Sequence, residues 1–465
     1  MSPSAIRALV VATAITSIGA VHWSYVTVIS PLFEYEGAFY RPAPDGSLEL
    51  AFLVSILPAF WLPVVVLRPS QVALWVLYVL AYVPSIVVPY YVLGTGFEGI
   101  LPLTLAVAVS FALLSLMVGV RFGATYTPAR SMRSFENLVL GLAIVLGAYI
   151  IVAFGVRLEL PDLASVYDVR AVYGQAVADT HLPFVAYAVD WSLYVANPLL
   201  VLLGLRSKRF GILAIGIAFE LLVYGTTGYK SALLSIVLVV PLLVLLSRRL
   251  RSVFGLGILA ASALLVLGSR MWDQLNDSIL ATSLFVRRAI TLPGQLVADY
   301  YDYFSQHQTF GLSHSILSFV GPAPYDLEPP KLIGAIYFHD PNENANANLW
   351  GDAFANFGIA GIVAFTIVFG LVLVLLDTAA SGRDLRITGA LAGLMAIVLS
   401  NSALLTTILS HGLGLAILLI FLMPQEPQGQ VQDLPGPSGS SRTLRYVSRS
   451  ELAAASGRRL PSEET

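Results

Sequence analysis

The sequence contains no cysteine and little charge. Without cysteine it can have no disulfide framework, no thiol nucleophile and no thiolate metal ligand. Only 12% of the 465 residues are charged, about half the roughly 25% that a soluble domain carries. The formal net charge of −2 is too close to zero to indicate nucleic acid or another polyanion as a partner. These absences point away from a soluble enzyme and towards a chain that lies in lipid.

Apolar runs of about 20 residues recur along the chain and are typical of helices that cross a membrane. Hydrophobic residues make up 57% of the sequence, and the mean hydropathy is +0.79. The sequence therefore predicts an all-α polytopic membrane protein, with about 12 transmembrane helices and one large outer loop that contains short helices. The predicted helical bundle covers residues 1–423. The predicted spans are 6–30, 48–67, 71–93, 98–120, 136–156, 183–204, 209–225, 230–246, 252–268, 357–377, 386–403 and 406–423.

The lysines and arginines predict the orientation of the bundle. Every second short connector carries at least one cation, which marks the cytoplasmic side. These connector cations are Arg68, Arg121, Arg130, Arg133, Arg206, Lys208, Arg209, Arg248, Arg249, Arg251, Arg383 and Arg386. Both termini are then cytoplasmic, and residues 270–356 form a large loop outside the plasma membrane. The tail 424–465 is rich in Pro, Gly, Ser and Arg, a composition that predicts a disordered cytoplasmic segment.

The long polar loop 270–356 is the predicted active site. Its first candidate functional residues are the adjacent Arg287 and Arg288. Guanidinium forks bind phosphate oxygens in a bidentate manner. Lys230 lies in the turn Thr226-Thr-Gly-Tyr-Lys-Ser231, just before an apolar run whose helix N-terminus favours anions. We therefore expect these three cations to bind a diphosphate. The alternatives are an arginine pair that snorkels to the membrane surface or pairs with Asp299 or Asp302, and a solvated turn lysine.

Asn344, Asn346 and Asn348 recur at every second position, so in an extended chain their amides point to one side. A row of amides with aromatic neighbours suits sugar hydroxyl groups, and this predicts a glycan-binding surface. The predicted surface also includes Tyr300, Tyr301, Asp302, Trp350 and Asp352. The alternative is a loop rich in turns that uses asparagine to cap helices.

His314 and His339 are the candidate proton carriers of the loop, because only histidine titrates near neutrality without a perturbing environment. A lone histidine is, as an alternative, often structural. No two histidines have the spacing of a metal site, so we expect neither a metal nor a cofactor. Asp190 and Glu220 lie inside predicted spans, where each needs a partner or a cavity.

The motifs around these residues resemble the Wzy-type oligosaccharide repeat-unit polymerases, the O-antigen polymerase family. The similarity is carried by Arg287-Arg288 with Pro293, Tyr300-Tyr-Asp-Tyr-Phe304, Gly311-Leu-Ser-His-Ser315, Pro330-Lys-Leu-Ile-Gly334 and Asn344-Ala-Asn-Ala-Asn348 with Asp352. The resemblance implies an enzyme that polymerises polyprenyl-diphosphate-linked (undecaprenyl-diphosphate-linked) oligosaccharide repeat units on the outer face of the membrane. It transfers the growing glycan as a block. The partners that it implies are the lipid-linked glycan, the bilayer, a chain-length regulator and a flippase.

Three other functions compete with this interpretation. An O-antigen ligase shares the architecture and chemistry but uses a different acceptor. A metal-dependent glycosyltransferase that uses polyprenyl-phosphate sugars would rely on Glu34 and Glu36, which resemble the acidic pair of such enzymes. A transporter should have spans broken by glycine and proline in matching halves and few polar groups in its outer loops, and this sequence has the reverse pattern.

Overall fold

A computed structural model describes residues 2–120, 131–156 and 166–426, and in these ranges the chain forms helices and no β-strand. Arg121, Arg130 and the predicted tail from residue 427 onwards lie outside the described residues. The α-helices are α1 Pro3–Ser24, α2 Ser30–Phe33, α3 Ser47–Ile56, α4 Pro69–Leu77, α5 Val83–Val92, α6 Gly96–Met117, α7 Met132–Phe154, α8 Val166–Asp179, α9 Val185–Trp191, α10 Asn197–Ser207, α11 Phe210–Thr227, α12 Lys230–Leu245, α13 Phe254–Leu275, α14 Leu292–Gln306, α15 Pro329–Tyr337, α16 Leu349–Ala379, α17 Leu385–Leu399, α18 Leu404–Leu409 and α19 Leu413–Leu422.

Four stretches of π-helix continue neighbouring α-helices. They are Tyr25–Ile29, Tyr78–Tyr82, Ser192–Ala196 and Thr282–Thr291. Short 3₁₀ turns occupy Glu34–Glu36, Leu57–Phe60, Arg251–Val253 and Ser318–Val320. π-Helical turns are rare, and they are frequent at functional sites.

Within the described residues, nine helical segments are long and apolar enough to cross a membrane. They are Ser4–Glu36, Pro69–Val92, Gly96–Met117, Met132–Phe154, Val185–Ser207, Phe210–Thr227, Arg251–Leu275, Leu349–Ala379 and Leu404–Leu422. The chain is therefore an α-helical polytopic membrane protein, as the sequence predicts. The predicted count of twelve also needs the shorter apolar helices Ser47–Phe60, Lys230–Leu245 and Leu385–Leu399. At 16 residues α12 is about 24 Å long, less than the roughly 30 Å hydrocarbon core.

The span Pro69–Val92 lies at the centre of the fold, and every residue of α5 is buried. The helix formed by Thr282–Thr291 and α14 packs against it. At Gly294 the two backbones meet so closely that a Cβ would lie 2.2 Å from the carbonyl oxygen of Pro84. The segment 270–356 is predicted as a loop with short helices. It thus contains one continuous helix, which is π-helical over Thr282–Thr291 and α-helical over α14. It continues through Pro293 because proline is tolerated in the first turn of α14.

A second glycine shapes α16, which is bent where Phe357 and Gly358 leave helical geometry. Gly358 has φ of +60°, a conformation that side chains with a Cβ rarely adopt. The bend separates a buried first part, up to Asn356, from the apolar remainder of the helix. The first part therefore belongs with the polar segment 270–356.

Several connector arginines are tied down by carboxylates from other helices. Arg206 pairs with Asp384, and Arg209 pairs with Glu136. Arg68 lies 3.9 Å from Oδ2 of Asp377, and the same oxygen accepts a 2.6 Å hydrogen bond from the Ser70 hydroxyl. These ion pairs hold the connectors that carry Arg68, Arg206 and Arg209 against the helical bundle.

The topology can be tested by single-cysteine labelling, because the natural chain has no cysteine. We expect Asn342→Cys, at an exposed position of the 270–356 segment, to react with a membrane-impermeant maleimide in intact cells. Ser207→Cys, in a connector with Lys208 and Arg209, should react only after the membrane is permeabilised. Labelling of residue 342 only after permeabilisation would contradict the orientation.

Candidate functional site

Three cations from three different segments gather around the turn between α11 and α12. We call Arg170, Lys230 and Arg288 the cation cluster. Arg170 donates from Nε to the carbonyl of Gly228 at 3.2 Å, and its guanidinium lies 5.7 Å from the centre of the Tyr229 ring. Lys230 lies within electrostatic range of both Arg288 and Arg170. Two of the three cations that the sequence singles out for a diphosphate therefore come together, with Arg170 as a third.

The local sequence explains the shape of this turn. Gly228 ends α11 with φ of +65°, and the hydroxyl of Thr227 accepts a 3.0 Å hydrogen bond from the Tyr229 N–H. Lys230 is then the first residue of α12. The positive end of that helix dipole lies beside the cation cluster. Like charges repel, and an anion held between them lowers this repulsion. The arrangement is suited to binding a polyanion.

A histidine–aspartate pair lies beside the cation cluster. Nδ1 of His411, in the turn between α18 and α19, is 3.1 Å from Oδ2 of Asp190 on α9. The His411 ring meets the Tyr194 ring edge-on, with centroids 5.0 Å apart. The indole Nε1 of Trp191 donates to the carbonyl of Leu409 at 2.9 Å, which fixes the turn against α9. The expectation that Asp190 needs a partner is confirmed.

Tyr229 connects the pair with the cation cluster. Burial raises the pKa of Tyr229, as does the charge of Asp190, whereas Arg170 acts in the opposite sense. Both charged groups therefore lie close to the phenol. Tyr173 stacks edge-on against Tyr229 at 5.7 Å. Tyr229 thus contacts Arg170 of the cation cluster and lies within electrostatic range of Asp190, the partner of His411.

The sequence does not predict the link between His411 and Asp190, because 221 positions separate them. Its only signal is that each is a titratable residue inside an apolar run. Glu220 gives the same signal, and it has the partners that the sequence requires. Asn197 donates to it at 2.9 Å and Ser235 at 2.8 Å.

Arg287 lies apart from this group, in contact with the first polar turn. Its guanidinium pairs with Glu36 and lies 4.4 Å from the centre of the Phe33 ring, and only 4% of the residue is exposed. The side chain of Gln295 donates to the backbone carbonyl of Glu36 at 2.7 Å. The structural alternative for Arg287, an ion pair, is therefore present, but Glu36 is the partner and not Asp299 or Asp302. Binding of a diphosphate by Arg287 stays a prediction.

Glu34 and Glu36, the acidic pair of the metal-dependent alternative, each face an arginine. Glu34 lies 3.6 Å from Arg41 at the surface, and Glu36 pairs with Arg287. Among the described residues no group of three His, Cys, Asp or Glu side chains has the arrangement of a metal site.

His314 and Asp352, predicted separately, come together. Nε2 of His314 lies 3.9 Å from Oδ1 of Asp352, and the Phe310 ring packs edge-on against the imidazole. The loop is held on α16 by hydrogen bonds from the N–H groups of Phe310 and Leu312 to Ala355 and Asn356. Burial lowers the pKa of His314 to about 4. Its imidazole is therefore neutral at pH 7, and the contact with Asp352 is not an ion pair.

Unlike His314, His339 is exposed, and its backbone is left-handed with φ of +56°. The roles of both histidines as proton carriers stay predictions.

The asparagine row alternates as expected over most of its length. Asn344 and Asn346 are exposed, while Ala345 and Ala347 are buried. Asn348 departs from this pattern because it caps α16. Its side-chain oxygen accepts from the N–H groups of Trp350 and Gly351, and its amide donates to Ser85 at 3.0 Å.

The remaining predicted glycan contacts have partners within the protein. The phenol groups of Tyr300 and Tyr301 donate to the carbonyls of Ala345 and Gly99 at 3.0 and 2.8 Å. Asp302 accepts from Tyr337 at 2.6 Å, and the indole of Trp350 donates to Thr366 at 3.2 Å. Contact of these side chains with a glycan stays a prediction. In this structure Tyr300 fixes the backbone between Asn344 and Asn346.

Comparisons with known proteins identify no relative of this chain, so its function is inferred from the residues described above. No protein-family model, no curated protein and no solved structure matches the chain.

The ion pair of Arg287 and Glu36 can be tested by a double-variant cycle. Arg287→Met leaves the partly buried Glu36 without its partner, which we expect to cost about 3 kcal/mol. Combining it with Glu36→Gln should restore part of the loss, since neither charge is then left alone. Thermal unfolding of the purified protein in detergent measures both effects. Additive losses in the double variant would contradict the pairing.

His314 should make stability depend on pH. Its folded-state pKa of about 4 lies below the ordinary value of 6.5, so the unfolded chain takes up the proton first as the pH falls. The stabilisation is complete above pH 6.5 and is lost towards pH 4. We expect a loss of about 2 kcal/mol between pH 7 and pH 5, and this loss should disappear in His314→Gln. The exposed His307 is the control, and an unchanged pH dependence in His314→Gln would contradict the assignment.

Proposed function

We propose that this chain polymerises polyprenyl-diphosphate-linked oligosaccharide repeat units into a surface polysaccharide. In this proposal it lies in the plasma membrane with both termini in the cytoplasm, and it acts on the outer face. The growing glycan is transferred as a block from its lipid carrier to a new lipid-linked repeat unit. The observation that carries the proposal is the gathering of Arg170, Lys230 and Arg288 beside the N-terminus of α12.

The leaving group explains why such a reaction needs this cluster. When the bond between the anomeric carbon and the diphosphate breaks, negative charge develops on the departing oxygen. Fixed cations and a helix dipole stabilise that charge without having to reorganise during the reaction. Arginine forks also bind two oxygens at once and so orient the diphosphate. The bond to diphosphate is already activated, so no nucleotide is consumed.

The position of the cluster suits a lipid-linked substrate. Lys230 begins one apolar helix, and the neighbouring Asp190 lies near the start of the span Val185–Ser207. A diphosphate bound here is at the depth of lipid headgroups, while its prenyl chain stays in the bilayer. Polar groups inside spans are costly in lipid and are typical of substrate pathways.

The 270–356 segment supplies the glycan side of the proposal. Asn344 and Asn346 present their amides at the surface beside α15 and the buried start of α16. Arg287 contributes indirectly, since its pairing with Glu36 holds the helix that carries Arg288. A flippase delivering repeat units and a chain-length regulator are the partner proteins of this proposal.

The cation cluster is tested by alanine variants assayed with purified protein and an undecaprenyl-diphosphate-linked oligosaccharide. We expect Arg170→Ala, Lys230→Ala and Arg288→Ala each to lower the rate by about 10- to 100-fold, as expected for the loss of a charge-assisted hydrogen bond. Arg288→Lys should recover only part, because lysine lacks the bidentate fork. Arg41→Ala, a surface arginine outside the cluster, is the matched control. Near-normal polymer from the triple alanine variant would contradict the site.

The glycans that accumulate after deletion of the gene distinguish polymerase from ligase. Single lipid-linked repeat units are expected if this chain is the polymerase. Long lipid-linked chains that are never transferred onwards would instead identify a ligase, and would overturn the proposal.

A further inference from the structure

We infer that His411, oriented by Asp190, is the base that accepts the proton of the acceptor hydroxyl group. The inference rests on the proposed function and names a group that the sequence does not single out for this role. Asp190 is a positioning residue, because it acts through His411.

The contact between the two side chains defines the orientation of the imidazole. Nδ1 of His411 faces Oδ2 of Asp190 at 3.1 Å, so Nδ1 carries the hydrogen and Nε2 is the basic nitrogen. The carboxylate also stabilises the imidazolium that forms when Nε2 takes up a proton. The Tyr194 ring packs against the imidazole, and the bond from Trp191 to Leu409 fixes its backbone. About a fifth of the His411 side chain, 19%, remains exposed.

The histidine–aspartate pair and the cation cluster are linked by packed aromatic side chains. Tyr194, whose ring contacts the His411 imidazole, packs against the same group of buried side chains as Tyr229. The Arg170 guanidinium lies 5.7 Å from the centre of the Tyr229 ring, and Tyr229 directly precedes Lys230. In this proposal a diphosphate held by the cation cluster lies near His411. The anomeric carbon is bonded to that diphosphate, so an acceptor hydroxyl approaching it comes close to this histidine.

The two histidines of the 270–356 segment are less suited to this task. His314 is half-buried, and burial lowers its pKa to about 4, which makes it a weak base at neutral pH. His339 is exposed, and no hydrogen bond or ion pair within the described residues orients its ring. His411 is about as exposed as His314, but its carboxylate partner lies at hydrogen-bond distance, 3.1 Å against 3.9 Å for His314 and Asp352.

The proposed reaction step forms one bond at the anomeric carbon and breaks another. A lone pair of the acceptor hydroxyl oxygen forms the new bond to the anomeric carbon of the donor glycan. The bond from that carbon to the diphosphate oxygen breaks, and its electron pair leaves with the polyprenyl diphosphate. The hydroxyl proton moves to Nε2 of His411, and the imidazolium later releases it to water.

The pH dependence of this step involves more than one group. Asp190 and Tyr194 face His411 from α9 and the π-helix that follows it. Tyr173 and Arg170 on α8, and Tyr229 and Lys230 at the start of α12, lie around Asp190 or around Tyr229 itself. His411 is the only imidazole among these groups.

The test measures rate against pH for purified full-length variants with the undecaprenyl-diphosphate-linked oligosaccharide. His411→Gln should lower kcat by about 100-fold or more with little change in KM, and it should abolish the acid limb of the profile. Asp190→Asn should lower kcat and displace that limb, because the imidazole loses its orientation. His307→Gln is the matched control, and thermal unfolding in detergent verifies that each variant is folded.

The outcomes separate this inference from the proposed function. A wild-type protein that makes no polymer from this substrate overturns the proposed function. An active wild type whose acid limb persists in folded His411→Gln overturns the inference alone, as does a limb that disappears in His314→Gln instead. A folded His411→Gln that still binds undecaprenyl diphosphate but transfers no glycan supports it.

Discussion

The close contact between Gly294 and Pro84 is the constraint on which the rest of the candidate site depends. It presses the helix Thr282–Gln306 against the buried central span, where no side chain larger than hydrogen would fit. Arg287 and Arg288 are consecutive residues of its π-helical part, so their side chains leave the helix in different directions. Once the helix is held in this position, Arg287 turns towards Glu36 and Arg288 turns towards Lys230. Two neighbouring arginines thereby acquire different tasks, one holding the helix and one in the cation cluster.

The cost of charge in an apolar bundle organises the remaining polar residues. Glu220 accepts hydrogen bonds from Asn197 and Ser235, while Arg206 and Arg209 pair with carboxylates of other helices. Arg170, Lys230 and Arg288 bring three cations from different segments to the turn between α11 and α12. The helix N-terminus at Lys230 adds to the same field. The proposed role of this turn is to bind an anionic substrate.

The sequence predicts the features that depend on local pattern. Its apolar runs locate the helices, and the alternation of Asn344 to Ala347 matches exposed and buried positions. It does not predict contacts between distant segments, such as Arg287 with Glu36 or His411 with Asp190, 251 and 221 positions apart. The sequence also predicts a loop over 270–356. The polar residues of α14 obscure the apolar pattern of the helix face that Gly294 buries. Asn348 shows how one residue leaves a pattern when a helix needs a cap.

The binding position of the diphosphate can be seen directly in a cryo-EM map of the purified protein in lipid nanodiscs with undecaprenyl diphosphate. We expect density for two phosphate groups between Arg170, Lys230 and Arg288, with the prenyl chain running along the apolar surface. Diphosphate density beside Arg287 and Glu36, or a cation cluster that stays empty while lipid diphosphate binds elsewhere, would contradict it.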